Sequence, residues 1–198
     1  MDRDEVRREW DEISESYAES RDPTGSDADL IDDLLEELPD EPVVLDVGCG
    51  DGARTLANLP DGAVGVDISR EALGLAGKTV GNEASLLQAD MSKLPLTEDS
   101  FDGVTAYHAV FHVPREEHPD VYEEFARVLR PGGVVLMTLP GGRYETVRRG
   151  WFGGQMLFSS PGPEATLDAL EDVGFAETSR ETVDDPLGAT AEFVFARL

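Results

Sequence analysis

The chain has 198 residues, a length suited to one domain, and its 40% apolar content excludes a disordered chain. Asp and Glu number 42 against 16 Lys and Arg, for a formal net charge of −26, and the acids are scattered rather than gathered in a tail. Such a surface repels itself unless counterions screen it, and it lacks the Lys/Arg footprint of a nucleic-acid binder. Cys49 is the single cysteine, which rules out a disulfide framework or a cysteine-based zinc cluster. With no apolar N-terminal signal and no run near the ~18 apolar residues of a membrane span, a soluble, cytoplasmic protein with no membrane partner is expected.

Val6, Trp10, Ile13 and Tyr17 line one face of a first helix. Leu30, Ile31, Leu34, Leu35 and Leu38 mark a second, with Ser26 and Asp29 set as a capping box and Pro39 ending it. Residues 22–25 read as a turn between the two. From Pro42 short apolar strands (43–47, 63–66, 84–87, 103–106 and 134–139) alternate with helices expected at 53–59, 70–77 and 116–129. That alternation predicts right-handed crossovers and a parallel sheet covered on both faces. A Gly- and aromatic-rich stretch, 141–160, precedes a helix at 163–173. Strands at 175–182 and 190–197 are joined by so short a link (184–188) that they should form an antiparallel hairpin.

The apolar run Val43-Val44-Leu45 feeds directly into Asp46-Val-Gly-Cys-Gly-Asp-Gly52. Glycines at 48, 50 and 52 allow a tight strand-to-helix turn and close approach of a ligand to bare backbone. Asp67 ends the next strand about twenty residues on, where an acid binds a ribose diol in dinucleotide folds. Asp67 or Ser69 could equally cap the helix beginning near Arg70. Both features suit NAD as well as S-adenosylmethionine (SAM). The third glycine, however, comes one residue earlier than in a pyrophosphate loop, and Asp46 and Asp51 flank the turn. Carboxylates disfavour a pyrophosphate and suit the sulfonium and ammonium of SAM.

Residues 44–52, VLDVGCGDG, resemble motif I of class I methyltransferases, and GVDIS at 65–69 resembles motif II. QADMSKLPL at 88–96 is similar to the adenine loop, FDGV at 101–104 to the fourth strand, and RVLRPGG at 127–133 to the turn into strand five. HVPREE at 112–117 is similar to small-molecule methyltransferases, and the acid-rich, lysine-poor composition to proteins of halophilic archaea. The resemblance implies a three-layer, Rossmann-like α/β sandwich with a seven-stranded, mostly parallel sheet whose last strand is antiparallel. One domain over 1–198 would comprise a helical lid (1–40), a SAM-binding core (42–139), a substrate lid (141–160) and a C-terminal helix and hairpin (161–198).

The resemblance also implies site residues. Asp46, Cys49 and the backbone of Gly48 and Gly50 would hold the amino-acid end of SAM, Asp67 the ribose, Ile68 the adenine face, Asp90 and the Met91 amide the adenine edge, and Tyr107 the methionine portion. Tyr17, Arg143, Trp151 and Met156 would contact the acceptor, with Arg143, Arg148 and Arg149 suited to a carboxylate. His108 and His112, just beyond strand four, are the candidate bases, and His118 is expected in solvent. No metal is expected, because the two histidines lack a third ligand of suitable spacing. The expected reaction is methyl transfer from SAM to a small molecule, leaving S-adenosylhomocysteine, by a monomer or homodimer. An NAD(P)-dependent oxidoreductase and a non-catalytic SAM-binding protein are the alternatives.

Overall fold

A computed structural model describes all residues except 23, 24, 185, 186 and 188. The turn at 22–25 and the link at 184–188 include these positions and so lie partly outside the described residues. A seven-stranded sheet in the order β3-β2-β1-β4-β5-β9-β8 forms the centre. Its strands are β1 (Val44–Val47), β2 (Val64–Asp67), β3 (Ser85–Gln88), β4 (Phe101–Ala106), β5 (Leu129–Leu139), β8 (Ala176–Asp184) and β9 (Thr190–Arg197). The first five pair in parallel, while β9 runs antiparallel to both β5 and β8. Chain order reverses at β1, so the carboxyl ends of β1 and β4 open a crevice at the switch point.

The two-residue period of the strands divides the core. Val135 and Met137 of β5, with Val194 and Ala196 of β9, face α4 (His118–Val128) and α5 (Pro163–Asp172). Their neighbours Val134, Leu136, Phe193 and Phe195 face α2 (Asp29–Glu37), whose Leu30, Ile31 and Leu34 cover them. α3 (Arg70–Val80) covers β2 and β3, and α1 (Arg3–Ser20) lies against α3 and β7 (Gly154–Pro161). No helix among the described residues is long and apolar enough to cross a membrane.

Two sequence expectations are corrected, and a stretch for which no element was expected takes a definite form. The helix expected at 53–59 is a single 3-10 turn, Leu56–Asn58. Thr55 and Arg54 turn inward to Asp46 and Asp27, and Asn58 Nδ2 takes the Arg54 carbonyl, so side-chain bonds replace helical ones. Ser26 does not cap α2; its hydroxyl accepts from the Asp184 amide at 3.1 Å. The capping box sits on α1 instead, between Asp2 and Glu5. The stretch at 141–160 is a hairpin of β6 (Arg143–Trp151) and β7, with Met156, Leu157 and Phe158 packed inward and β6 largely exposed.

Phe125 is fully buried between α4 and the sheet. Phe125→Ala should cost about 3–5 kcal/mol in urea unfolding, whereas Val147→Ala on exposed β6 should stay within about 0.5 kcal/mol.

Candidate functional site

A cleft lies over the carboxyl ends of β1, β2 and β4, roofed by α1. Its floor is the glycine turn. Gly48 has φ +72°, and a Cβ there would stand 2.4 Å from that of Ala109. The turn spends its amides on the protein: those of Gly48 and Cys49 both donate to the Val66 carbonyl, at 2.7 and 3.0 Å. The Gly50 amide donates to Asp67 Oδ2 at 2.9 Å, the Gly52 amide to Cys49 O, and the Ala53 amide to Asp51 Oδ1. The turn therefore commits much of its N–H capacity to the protein, and Asp51, Asp67 and the guanidinium groups of Arg3, Arg21 and Arg54 line the cleft around it. Cys49 is buried, and burial raises its thiol pKa well above the usual range.

Asp67 lines the cleft, its second oxygen accepting from the Ser69 amide at 2.8 Å. Burial raises its pKa despite these bonds. Ile68 and Met91 form the adjoining wall, and Tyr107 borders the cleft with its hydroxyl donating to the Asp27 carbonyl at 2.9 Å. Two expected cofactor contacts are turned elsewhere. Asp46 does not border the cleft; it accepts the hydroxyls of Thr55 and Thr105, and burial lifts its pKa to about 6. Asp90 faces a neighbouring depression and binds Arg3 through both oxygens, at 2.8 and 2.9 Å. Burial pushes the Asp90 pKa up, but Arg3 and Ser92 outweigh it and hold the carboxyl below its ordinary value.

The roof is pinned at several points. Arg3 also reaches the His112 carbonyl at 2.9 Å, and Asp11 takes the Ser69 hydroxyl and the Arg70 amide at the start of α3. Arg21, at the far end of α1, pairs with Asp51. Glu9 accepts from the Gln155 amide at 2.9 Å and so ties α1 to β7. Tyr17 borders the cleft, with Trp151 5.5 Å and Phe152 5.3 Å away. Trp151 and Met156 belong to the cluster behind that wall and do not border the cleft. Arg143 is exposed at the open end of the hairpin, and Arg148 stacks over Phe158 at 4.3 Å, so neither meets the cleft.

His108 and His112 both line the cleft. His112 is buried with Nδ1 2.7 Å from the Leu157 carbonyl, among Trp10, Phe111 and Phe158. Burial lowers its pKa to about 3, so the ring is neutral. A carbonyl can only accept, so Nδ1 carries the proton. His118 is not in solvent but 2% exposed, its Nε2 2.9 Å from Ser159 Oγ, because the hairpin closes over the start of α4. Sequence reasoning did not single out Asp27, Arg54 or Arg3. Asp27 and Arg54 form a fully buried ion pair, with Arg54 Nε donating to Asp27 Oδ2 at 2.8 Å. Asp27 reads in sequence as one more acid of a helix-capping stretch, and nothing local announces its burial.

Burial lowers the His118 pKa to about 4. Between pH 6.5 and 4 the unfolded chain thus binds a proton there that the folded chain refuses, and this contribution to stability is lost on acidification. His118→Gln should therefore gain on the parent by about 1.4 kcal/mol per pH unit across that window in urea titrations. Gly48→Ala should lower stability by about 1–3 kcal/mol, read the same way, because it forces a side chain into Ala109 at an unfavourable φ.

Residues 45–137 match the family described as "Methyltransferase domain". Sterol 24-C-methyltransferase ERG6B of Gibberella zeae is 38% identical over 99 residues, 46% of this chain and 26% of that protein. The tRNA (carboxymethyluridine(34)-5-O)-methyltransferase of Arabidopsis thaliana is 35% identical over 107 residues, 54% of this chain and 26% of that protein. The chain thus spans about a quarter of the length of these relatives. In the complex between the Haloferax volcanii Trm112 methyltransferase activator and a methyltransferase, one chain superposes with a TM-score of 0.70 at 20% identity, covering 97% of this chain and 96% of its own. That likeness shows the fold. The matched segment, 45–137, makes up just under half of the chain, carries the glycine turn and Asp67, and is similar to that methyltransferase family.

Proposed function

We propose that the protein transfers the methyl group of SAM to a small-molecule acceptor in the cleft beneath α1. The observation that carries this is the donor-poor glycine turn, whose amides bind Val66 and Asp67 while Asp51 and Asp67 stand beside it. A pyrophosphate would find carboxylates there and few N–H groups, which disfavours an NAD(P)-dependent oxidoreductase. A sulfonium and an ammonium would find oxygens. In this reading Asp67 accepts from the ribose hydroxyls, and Ile68 and Met91 hold the adenine. The carbonyls of Gly48 and Gly50 meet the ammonium, beside Cys49, and Tyr107 flanks the methionine chain.

Asp46 supports the turn from below, and Asp90 anchors the roof through Arg3 rather than touching adenine. The acceptor lies against Tyr17, His108 and His112, with Trp151 and Met156 backing that wall. Methyl transfer needs the nucleophile about 3 Å from the methyl carbon and in line with the breaking bond, so the roof contributes chiefly by orientation and by excluding water. The formal charge of −26 and the narrow roofed cleft support a small molecule. Arg143, Arg148 and Arg149 on exposed β6, together with the tRNA-modifying relative, favour a nucleic-acid acceptor as the second reading.

Calorimetric titration in molar salt should show SAM and S-adenosylhomocysteine binding, weakened about 10–100-fold by Asp67→Ala. Binding of NADH without SAM would sink the proposal. Transfer of labelled methyl from SAM into the small-molecule fraction of a cell extract supports the first acceptor class, and transfer into its tRNA the second.

A further inference from the structure

His108 stands at the tip of β4 with φ +52°, a left-handed backbone that a non-glycine residue adopts at a cost. Its amide is held by Thr138 Oγ1 at 2.8 Å, and its ring is set edge-on against Phe193, with centroids 5.6 Å apart. This fixes the imidazole with Nε2 buried and without a hydrogen bond, 3.6 Å from Asp27 Oδ2. Asp27 is itself immobilised, fully buried against Arg54, with Tyr107 bonded to its carbonyl. A buried carboxylate fixes the tautomer of an adjacent imidazole and stabilises its cation. Among the described residues His112 has no carboxylate partner: its Nδ1 faces the Leu157 carbonyl, and aromatic rings pack against the imidazole.

We infer that Asp27 is a positioning residue that keeps the proton of neutral His108 on Nε2, leaving Nδ1 as the base for an O–H or N–H acceptor. This rests on the methyl-transfer reading above and adds to it the acceptor class and the division of labour between the two histidines. As a lone pair of the acceptor oxygen or nitrogen forms its bond to the methyl carbon, the S–CH3 bond breaks. The electron pair stays on sulfur, which leaves as a neutral thioether. The acceptor proton passes to His108 Nδ1, and the resulting imidazolium faces the Asp27 carboxylate. His112 stays neutral throughout, its proton on Nδ1, and serves as wall.

Long-range nitrogen–proton NMR of histidine-labelled protein reads the tautomers directly, with assignments from His108→Gln and His112→Gln. Neutral His108 should be the Nε2–H form and His112 the Nδ1–H form. Asp27→Asn should abolish the single-tautomer preference of His108 while leaving that of His112. A His108 proton on Nδ1 in the parent protein overturns the inference, and this arm stands even if Asp27→Asn fails to fold. In a second arm, diethyl pyrocarbonate should acylate His108 ahead of His112, as read by peptide mass, and preferential acylation of His112 also overturns it. Adding S-adenosylhomocysteine separates the two claims: failure to protect His108 counts against cofactor binding in the cleft and leaves the tautomer result standing.

Discussion

Two amides on one carbonyl set the character of the cleft. Because Gly48 and Cys49 both donate to Val66, the chain turns back at the end of β1 with its donors facing the sheet. Asp67, two bonds deep in amides from Gly50 and Ser69, completes the same closure from the end of β2. The glycines permit the curvature, and at Gly48 the proximity of Ala109 leaves no room for a side chain. The amides of Gly48, Cys49 and Gly50 are thereby turned from a ligand. The polarity of the site is thus decided by backbone bonding rather than by any residue that reaches into it.

The second determinant is α1, which contributes little to the main core and much to the enclosure. Its apolar face supplies Val6, Trp10 and Ile13, while its charged residues reach Asp90, α3, Asp51 and the hairpin. Partly exposed ion pairs contribute little to stability one at a time. Here they act together as spacers that hold a helix over a cavity it does not fill. The aromatic residues of the hairpin, Trp151 and Phe152, meet Tyr17 from the other side, so the roof is built from two separate parts of the chain.

The sheet was largely legible in the sequence because buried parallel strands are short apolar runs, and each is set off here by Gly, Pro or Asp. The glycine turn and Asp67 were legible for a similar reason, since few other residues can fill those conformations and positions. The helix at 53–59 was not. Alanines and leucines favour one there, but Arg54 and Thr55 are drawn inward by acids that are distant in sequence or buried below. His118 and the hairpin show the same limit: a histidine beginning a polar helix reads as exposed until β7 is known to cover it. Asp46 lies within β1 and Asp90 just beyond β3, and their partners Thr55, Thr105 and Arg3, none of them neighbours in sequence, turn them from the cleft. Long-range pairing of a charged group leaves no local periodicity to read.

The anchored position of α1 has a consequence in salt. α1 crosses the cleft from Arg3 to Arg21 and is tied at both ends, so widening the cleft on that side means moving it. Such a movement breaks ion pairs rather than apolar packing alone. Dissolved salt screens the partly exposed pairs and so weakens the ties of α1. Ionic strength would thereby loosen the roof even as it screens the repulsion within so acidic a surface.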